Sequence, residues 1–174
     1  MRSPRLTYRL IDTRDASRIA ALAGDWDIAR MTARIPHPYS LVDADQWIGS
    51  IGGDEFVRAI ERDGELIGAV GYIERDASQA EIGYWIGKPW WGNGYATEAA
   101  SALVEHCFGE AGFKRLTAGH FIDNPASARV IRKLGFRRVG NSAQWCEARK
   151  SEVPTVRYAR GRPLLGRLWR SGKR

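Results

Sequence analysis

The chain has no stretch that reaches the roughly 18 uninterrupted apolar residues of a membrane span. Its first ten residues, MRSPRLTYRL, hold no continuous apolar run of the kind a secretory leader needs. The expectation is a soluble protein of the cytoplasm with no membrane partner. Cysteine is scarce: Cys107 and Cys146 are the only two, without ligand spacing, and Cys107 falls inside a helical pattern. They read as buried thiols rather than a disulfide or a metal site, so no metal is expected. Internal repeats, low-complexity tracts and Pro/Ser-rich linkers are also missing, which leaves one domain over residues 1–160 and a basic tail over 161–174. Acidic residues are absent from the last part of the chain, where Arg157 to Arg174 holds seven basic residues. Without them the 27 basic residues fall to 20, against 20 acidic, so the formal charge of +7 belongs to that end and the body is neutral. Such a tail is either a solubilising end or an attractor for an acidic partner, nucleic acid or ribosome.

An apolar content of 44% with seven tryptophans is enough for a substantial core. Alternation over Arg5 to Ile11 predicts a first strand, followed by helices over Ser17 to Leu22, Asp25 to Ala33 and Val42 to Ile48. Phe56 to Glu61 and Leu66 to Ile73 alternate on either side of Arg62-Asp63-Gly64-Glu65, and Asp-Gly is the preferred pair for a tight hairpin. Ala80 to Gly87 adds a third strand. Ala96, Ala99, Ala100, Leu103, Cys107 and Phe108 then recur at three and four, an amphipathic helix ending near Gly109 or Gly112. Lys114 to Ile122 reads as a strand and Ala126 to Leu134 as a helix stopped by Gly135. Phe136 to Val139, Gln144 to Ala148 and Val153 to Ala159 give the last strand signals. The order predicts an α/β mixed sheet with helices on both faces.

Strand, glycine turn and helix meet in Glu81 to Glu98, EIGYWIGKPWWGNGYATE. A helix start presents unpaired amides at the positive end of its dipole, a place for a phosphate. A Walker A loop is excluded, because Gly87 and Gly92 have the spacing but Asn93 and Gly94 follow where Lys and Ser/Thr are needed. A dinucleotide fingerprint is excluded as well: Thr97 stands at its third glycine, and three strands in a meander precede it. An acyl-coenzyme A turn, Gln/Arg-x-x-Gly-x-Gly/Ala, matches Trp91 to Ala96 at Gly94 and Ala96 but has Trp91 at its first position.

Together with Glu81-Ile82-Gly83-Tyr84-Trp85-Ile86 before it, and Asn124-Pro125-Ala126-Ser127 through Leu134-Gly135-Phe136 after it, this turn resembles the GCN5-related N-acetyltransferase (GNAT) superfamily. Within it, the branch resembled is that of the bacterial ribosomal-protein N-terminal acetyltransferases (RimJ/RimL-like). The similarity is strongest over Glu81 to Val139. It implies a central, mostly antiparallel sheet splayed between strands 4 and 5, with acetyl-coenzyme A as cofactor and a primary amine as acceptor. The pantetheine arm would pair with strand 4 at Tyr84, Trp85 and Ile86, the amides of Gly92, Asn93, Gly94, Tyr95, Ala96 and Thr97 would receive the pyrophosphate, and Trp91 would also contact the cofactor.

The resemblance also assigns roles to side chains. Glu81 is the candidate general base, which calls for a pKa raised by partial burial, or else a salt-bridge partner. Many relatives protonate the departing thiolate with a tyrosine four residues before the helix-ending glycine, but Ile131 stands there, which leaves Ser127 as the hydroxyl for that role or as a helix cap. Asn124 either bonds the pantetheine or makes an Asx turn before Pro125. His37 and Tyr39 fall where the family closes over its acceptor. Trp90 and Trp91 either cover the cofactor or serve packing. The missing tyrosine and the basic tail keep a second function open, a non-catalytic acetyl-coenzyme A-binding or ribosome- and RNA-associated module. Monomer and homodimer are both compatible with the sequence.

Overall fold

The computed structural model describes residues 1–163. The apolar face of Leu164, Leu165, Leu168 and Trp169, and most of the basic tail, lie outside the described residues. The strands are β1 (Thr7–Arg9), β2 (Glu55–Arg62), β3 (Glu65–Asp76), β4 (Gln79–Ile86), β5 (Arg115–Phe121), β6 (Arg137–Cys146) and β7 (Ser151–Gly161). The helices are α1 (Ala16–Ala23), α2 (Trp26–Ala29), α3 (Leu41–Ser50), α4 (Tyr95–Phe108) and α5 (Pro125–Lys133).

All seven strands form one sheet in the order β1-β2-β3-β4-β5-β7-β6. Every pairing is antiparallel except β4 with β5. Asp63 and Gly64 both take positive φ (52° and 81°), which twists the β2–β3 turn to match its strands. A parallel pair needs a long crossover, and α4 provides it between β4 and β5. That pair holds for only three rungs, Gln79↔Arg115, Ala80↔Leu116 and Glu81↔Thr117. Beyond Glu81 the two strands diverge, which is the splay that the resemblance implies.

The sheet is covered on both faces. One layer joins Ile60, Val70, Ile82 and Ile86 to Leu103, Cys107 and Phe108 of α4 and to Ile131 of α5. The other joins Ala59 and Leu66 to Ile19 of α1 and to Ala44 and Ile48 of α3, with Trp47, Trp85 and Trp90 at its margin. Helix α3 starts in a capping box, with the Asp43 amide donating to Ser40 Oγ (3.1 Å) and the Ser40 amide to Asp43 Oδ2 (2.7 Å). Both cysteines are buried, free thiols. Among the described residues no helix is long and apolar enough to cross a membrane.

Three expectations change. The helix expected over Asp25 to Ala33 is only the four residues of α2. After it the amides of Met31 and Thr32 bond three residues back, and Thr32 Oγ1 takes the Ala29 carbonyl, which closes the turn and stops the helix. The strand signals at Phe136 to Val139 and Gln144 to Ala148 belong to one strand, β6, whose register shift between Arg138 and Gly140 marks a bulge. As the sheet's edge strand β6 is exposed along nearly its whole length, so its middle carries no apolar alternation. Lastly, β7 runs on to Gly161, past the Val153 to Ala159 strand signal, and carries Arg157 and Arg160 of the basic run.

Candidate active site

The splay opens a cleft of about 1250 Å³ through the sheet, reaching from the glycine turn at α4 past Tyr84, Ser127 and Gly83 to Glu81 and Arg75. Its wall is the C-terminal half of β4. The Gly87 amide donates to the Ile67 carbonyl (2.7 Å), and alternate residues of an antiparallel ladder share a side. Glu81, Gly83 and Trp85 therefore turn their backbone groups to β3, while Ile82, Tyr84 and Ile86 turn theirs to the gap. Trp91 Nε1 closes the far end of this row by donating to the Ile86 carbonyl (2.6 Å).

Helix α4 begins without a side-chain cap. Its N-cap is Gly94 in the left-handed conformation (φ 81°), and Gly92 has φ 82°. Helices α3 and α5 are capped by Ser40 and Asn124; the amides of Tyr95, Ala96 and Thr97 have no hydrogen-bond partner among the described residues. A Cβ on Gly92 would stand in open space, and one on Gly94 would come only within 3.7 Å of the Arg5 guanidinium. The cradle is thus kept bare by glycine, not filled by neighbours. Asn93 fixes its shape by donating from Nδ2 to the carbonyls of Trp90 and Trp91 (3.2 Å each). Arg5 closes its rim through Glu98, with its backbone amide on Oε1 (2.8 Å) and Nε on Oε2 (2.7 Å).

Glu81 stands at the last parallel rung, where the splay begins. Its Oε2 receives Arg75 Nη2 at 2.8 Å and lies 3.0 Å from Arg157 Nη2. Arg157 is on β7, with β5 in between, and it can cross because Gly119 has no side chain: a Cβ there would lie 3.0 Å from Arg157 Nη1. Burial pushes the Glu81 pKa up, but the Arg157 and Arg75 guanidiniums outweigh it and hold the carboxyl below its ordinary 4.5. The raised pKa that a general base here would require is therefore not found. Glu81 is an ionised carboxylate, and its salt-bridge side is realised.

On the other side of the gap, Tyr84 Oη lies 2.9 Å from Ser127 Oγ. Burial pushes the Tyr84 phenol up to about 12, with the Ser127 contact pulling slightly the other way. Ser127 is not the cap of α5; Asn124 is, its Oδ1 accepting from the Ser127 amide at 3.0 Å. The Asn124 side chain is thus spent on the helix start, leaving the Ser127 hydroxyl to the cleft. Even-numbered β4 residues face α4 and α5, odd-numbered ones face α1 and α3. Tyr84 and Glu81 consequently sit on opposite faces of the sheet and meet only through the splay.

Residues 5–137 match the model of the acetyltransferase (GNAT) domain. The chain belongs to the GNAT acetyltransferase family. Its relatives include the uncharacterized N-acetyltransferase YoaA of Bacillus subtilis, 36% identical over 57% of this chain and 57% of that one. The putative ribosomal N-acetyltransferase YdaF of the same organism is 26% identical over 97% of this chain and 95% of its own length. The fold matches the crystal structure of a GNAT-family acetyltransferase from Bacillus anthracis with a TM-score of 0.82, at 22% identity, covering 93% of this chain and 98% of that one.

Acetyl-coenzyme A is the cofactor expected of a GNAT acetyltransferase domain, and the residues present fit that molecule. Unpaired amides at the start of α4 and two bare glycines suit a pyrophosphate. The gap-facing edge of β4 suits the amides of pantetheine. Tyr39 and Trp85 line the cleft, whereas His37 is turned away, its Nδ1 3.0 Å from the Gly24 carbonyl and its ring edge-on to Trp26. Trp91 stands where the family carries Gln or Arg, and it serves to tie the turn back to β4.

Arg75, Arg157, Gly83 and the Tyr84 hydroxyl join the site without being marked as site residues by the sequence pattern. Arg157 had a signal, since it lies within the Val153 to Ala159 strand. Gly83 has its own: it is exposed within a strand, and a Cβ there would meet nothing within 4 Å. Gly83→Leu is accordingly expected to leave thermal unfolding within about 3 °C of wild type, since roughly ±0.5 kcal/mol is typical away from packed features. The same substitution should raise KM for the acceptor at least about tenfold by filling the cleft floor.

Proposed function

We propose that the protein transfers an acetyl group from acetyl-coenzyme A to a primary amine, by direct attack of the amine while both substrates are bound. The observation that carries this reading is the splay, which joins three separate groups in one cleft: the α4 cradle, the Glu81 carboxylate and the Tyr84–Ser127 pair. When bound, acetyl-coenzyme A supplies an activated thioester carbonyl. The amides of Gly92 to Thr97 hold its pyrophosphate, and the gap-facing groups of Tyr84 and Ile86 align its arm. Glu81, an ionised carboxylate, holds the incoming ammonium by charge; the ammonium loses its proton to water, and the neutral amine attacks. A gap-facing β4 amide holds the carbonyl oxygen. Ser127 gives a proton to the departing sulfur, held in place by Tyr84.

Purified protein with acetyl-coenzyme A and a panel of amines (amino acids, polyamines, aminoglycosides, peptides with free N-termini) should release free thiol only when amine is present. Mass spectrometry should find the amine heavier by one acetyl group. Tight acetyl-coenzyme A binding with no amine-dependent thiol release from any of them would favour a non-catalytic module. That alternative is motivated by Ile131 and the basic tail. Tyr84 provides a phenol in the gap despite Ile131, and most of the tail is outside the described residues. The name of YdaF, a putative ribosomal N-acetyltransferase, makes a ribosomal amine one acceptor to include.

A further inference from the structure

Arg75 reaches Glu81 from the end of β3 and Arg157 reaches it from β7, and both address the same oxygen, Oε2. Two cations thus share one anion, and Glu81 Oε1 has no hydrogen-bond partner among the described residues. Neighbouring ion clusters around the cleft balance in charge: Arg34 with Glu55, Arg149 with Asp123, and Lys88 and Arg30 against Asp25 and Asp27, where Asp27 takes both cations and Asp25 lies within reach of Lys88. At Glu81 alone in this group is one positive charge left over. Glu81 and Arg157 are largely shielded, 17% and 28% exposed, whereas Arg75 is 47% exposed, so a charge imbalance is screened less on the Arg157 side than on the open surface. The adjoining floor is bare, with open space above Gly83, so the site admits a small molecule directly against the guanidiniums.

We infer that the acceptor is a small amine that carries its own carboxylate, an α-amino acid, with its ammonium on Glu81 and its carboxylate on Arg75 and Arg157. The inference rests on the acetyltransferase reading and narrows its substrate. An α-amino acid gives the second guanidinium an anion of its own, and once its ammonium has lost the proton, as attack requires, two anions stand against two guanidiniums. Guanidinium–carboxylate contacts are the strong, directional class of hydrogen bond. A polyamine would bring only further positive charge to a site that already has an excess. A peptide N-terminus or an amino-acid amide would bring the ammonium without the carboxylate.

The test compares ligands that differ only in that carboxylate. N-acetyl-L-amino acids with neutral side chains and the matching N-acetyl amides are titrated by calorimetry into protein saturated with coenzyme A, which removes amine ionisation from the comparison. The free amino acids and their amides are then compared by kcat/KM in the thiol-release assay. At least one acid should bind about tenfold or more tightly than its amide, the factor expected for a charge-assisted contact. Arg75→Gln and Arg157→Gln should each bring that ratio down toward one, while Arg75→Lys retains part of it. Equal binding of acid and amide, no binding of either, or better turnover of amides or peptides overturns the inference and leaves acetyl transfer standing. Failure of coenzyme A itself to bind would instead remove the acetyltransferase reading, and this inference with it.

Discussion

Gly94→Trp should abolish coenzyme A binding while the protein stays folded. Gly94 is the N-cap of α4 with φ 81°, a conformation that a side chain adopts only at a cost, about 1–2 kcal/mol. Melting should therefore fall by several degrees rather than collapse. A Cβ there meets nothing closer than the Arg5 guanidinium at 3.7 Å, so the indole can be placed without displacing the core. It would, however, occupy the space in front of the Tyr95, Ala96 and Thr97 amides. Losing two charge-assisted hydrogen bonds to phosphate, at about 1.5–3 kcal/mol each, corresponds to about a hundredfold or more in Kd. Gly94→Asn is the control, because Asn tolerates positive φ and is short; it should bind measurably. Calorimetry with acetyl-coenzyme A reads both. A Gly94→Trp variant that binds like wild type would remove the cradle from the account.

Ser127→Ala should lower kcat by about 100-fold with KM for acetyl-coenzyme A unchanged, because a positioned proton donor contributes about 10²–10⁴ and acts on the leaving group, not on binding. Tyr84→Phe should cost less, about tenfold in kcat, since it removes the partner at 2.9 Å from Ser127 Oγ but not the serine itself. The double variant should be no worse than Ser127→Ala alone, as expected for residues acting through one another. With its phenol pushed up to about 12, Tyr84 stays protonated across the working range. Its ionisation should accordingly leave no limb in the pH–rate profile below about pH 10. A Ser127→Ala enzyme of wild-type turnover would show that the departing sulfur takes its proton from elsewhere, such as water.

The sequence made some of this legible and hid the rest for physical reasons. Asp63-Gly64 announces its hairpin because two successive positive φ values are a local demand. The α4 stripe and the glycine turn are local too, and their pattern survives in any tertiary setting. Arg157 is legible as a strand residue, but its role is not, because it lies two strands from Glu81 and depends on Gly119 in between: a bare residue on β5 lets a β7 side chain cross to β4. Nothing in the linear spacing of 81, 119 and 157 encodes that crossing. The low pKa of Glu81 follows from the same crossing, which is why burial alone suggested the opposite direction. Tyr84 was legible as part of the strand that lines pantetheine, yet its hydroxyl matters through α5, which comes later in the chain. The signal for β6 is split in two because an exposed edge strand has no buried face to impose alternation.

The most direct test of the central claim is a residue-resolved amide NMR titration with coenzyme A. If the splayed cleft and the start of α4 hold the cofactor, the largest shifts fall on Gly92 to Thr97 and on the gap-facing residues Ile82, Tyr84 and Ile86, while β1 and β2 stay near their free positions. Shifts concentrated elsewhere, with the amides from Gly92 to Thr97 unmoved at saturation, would contradict it.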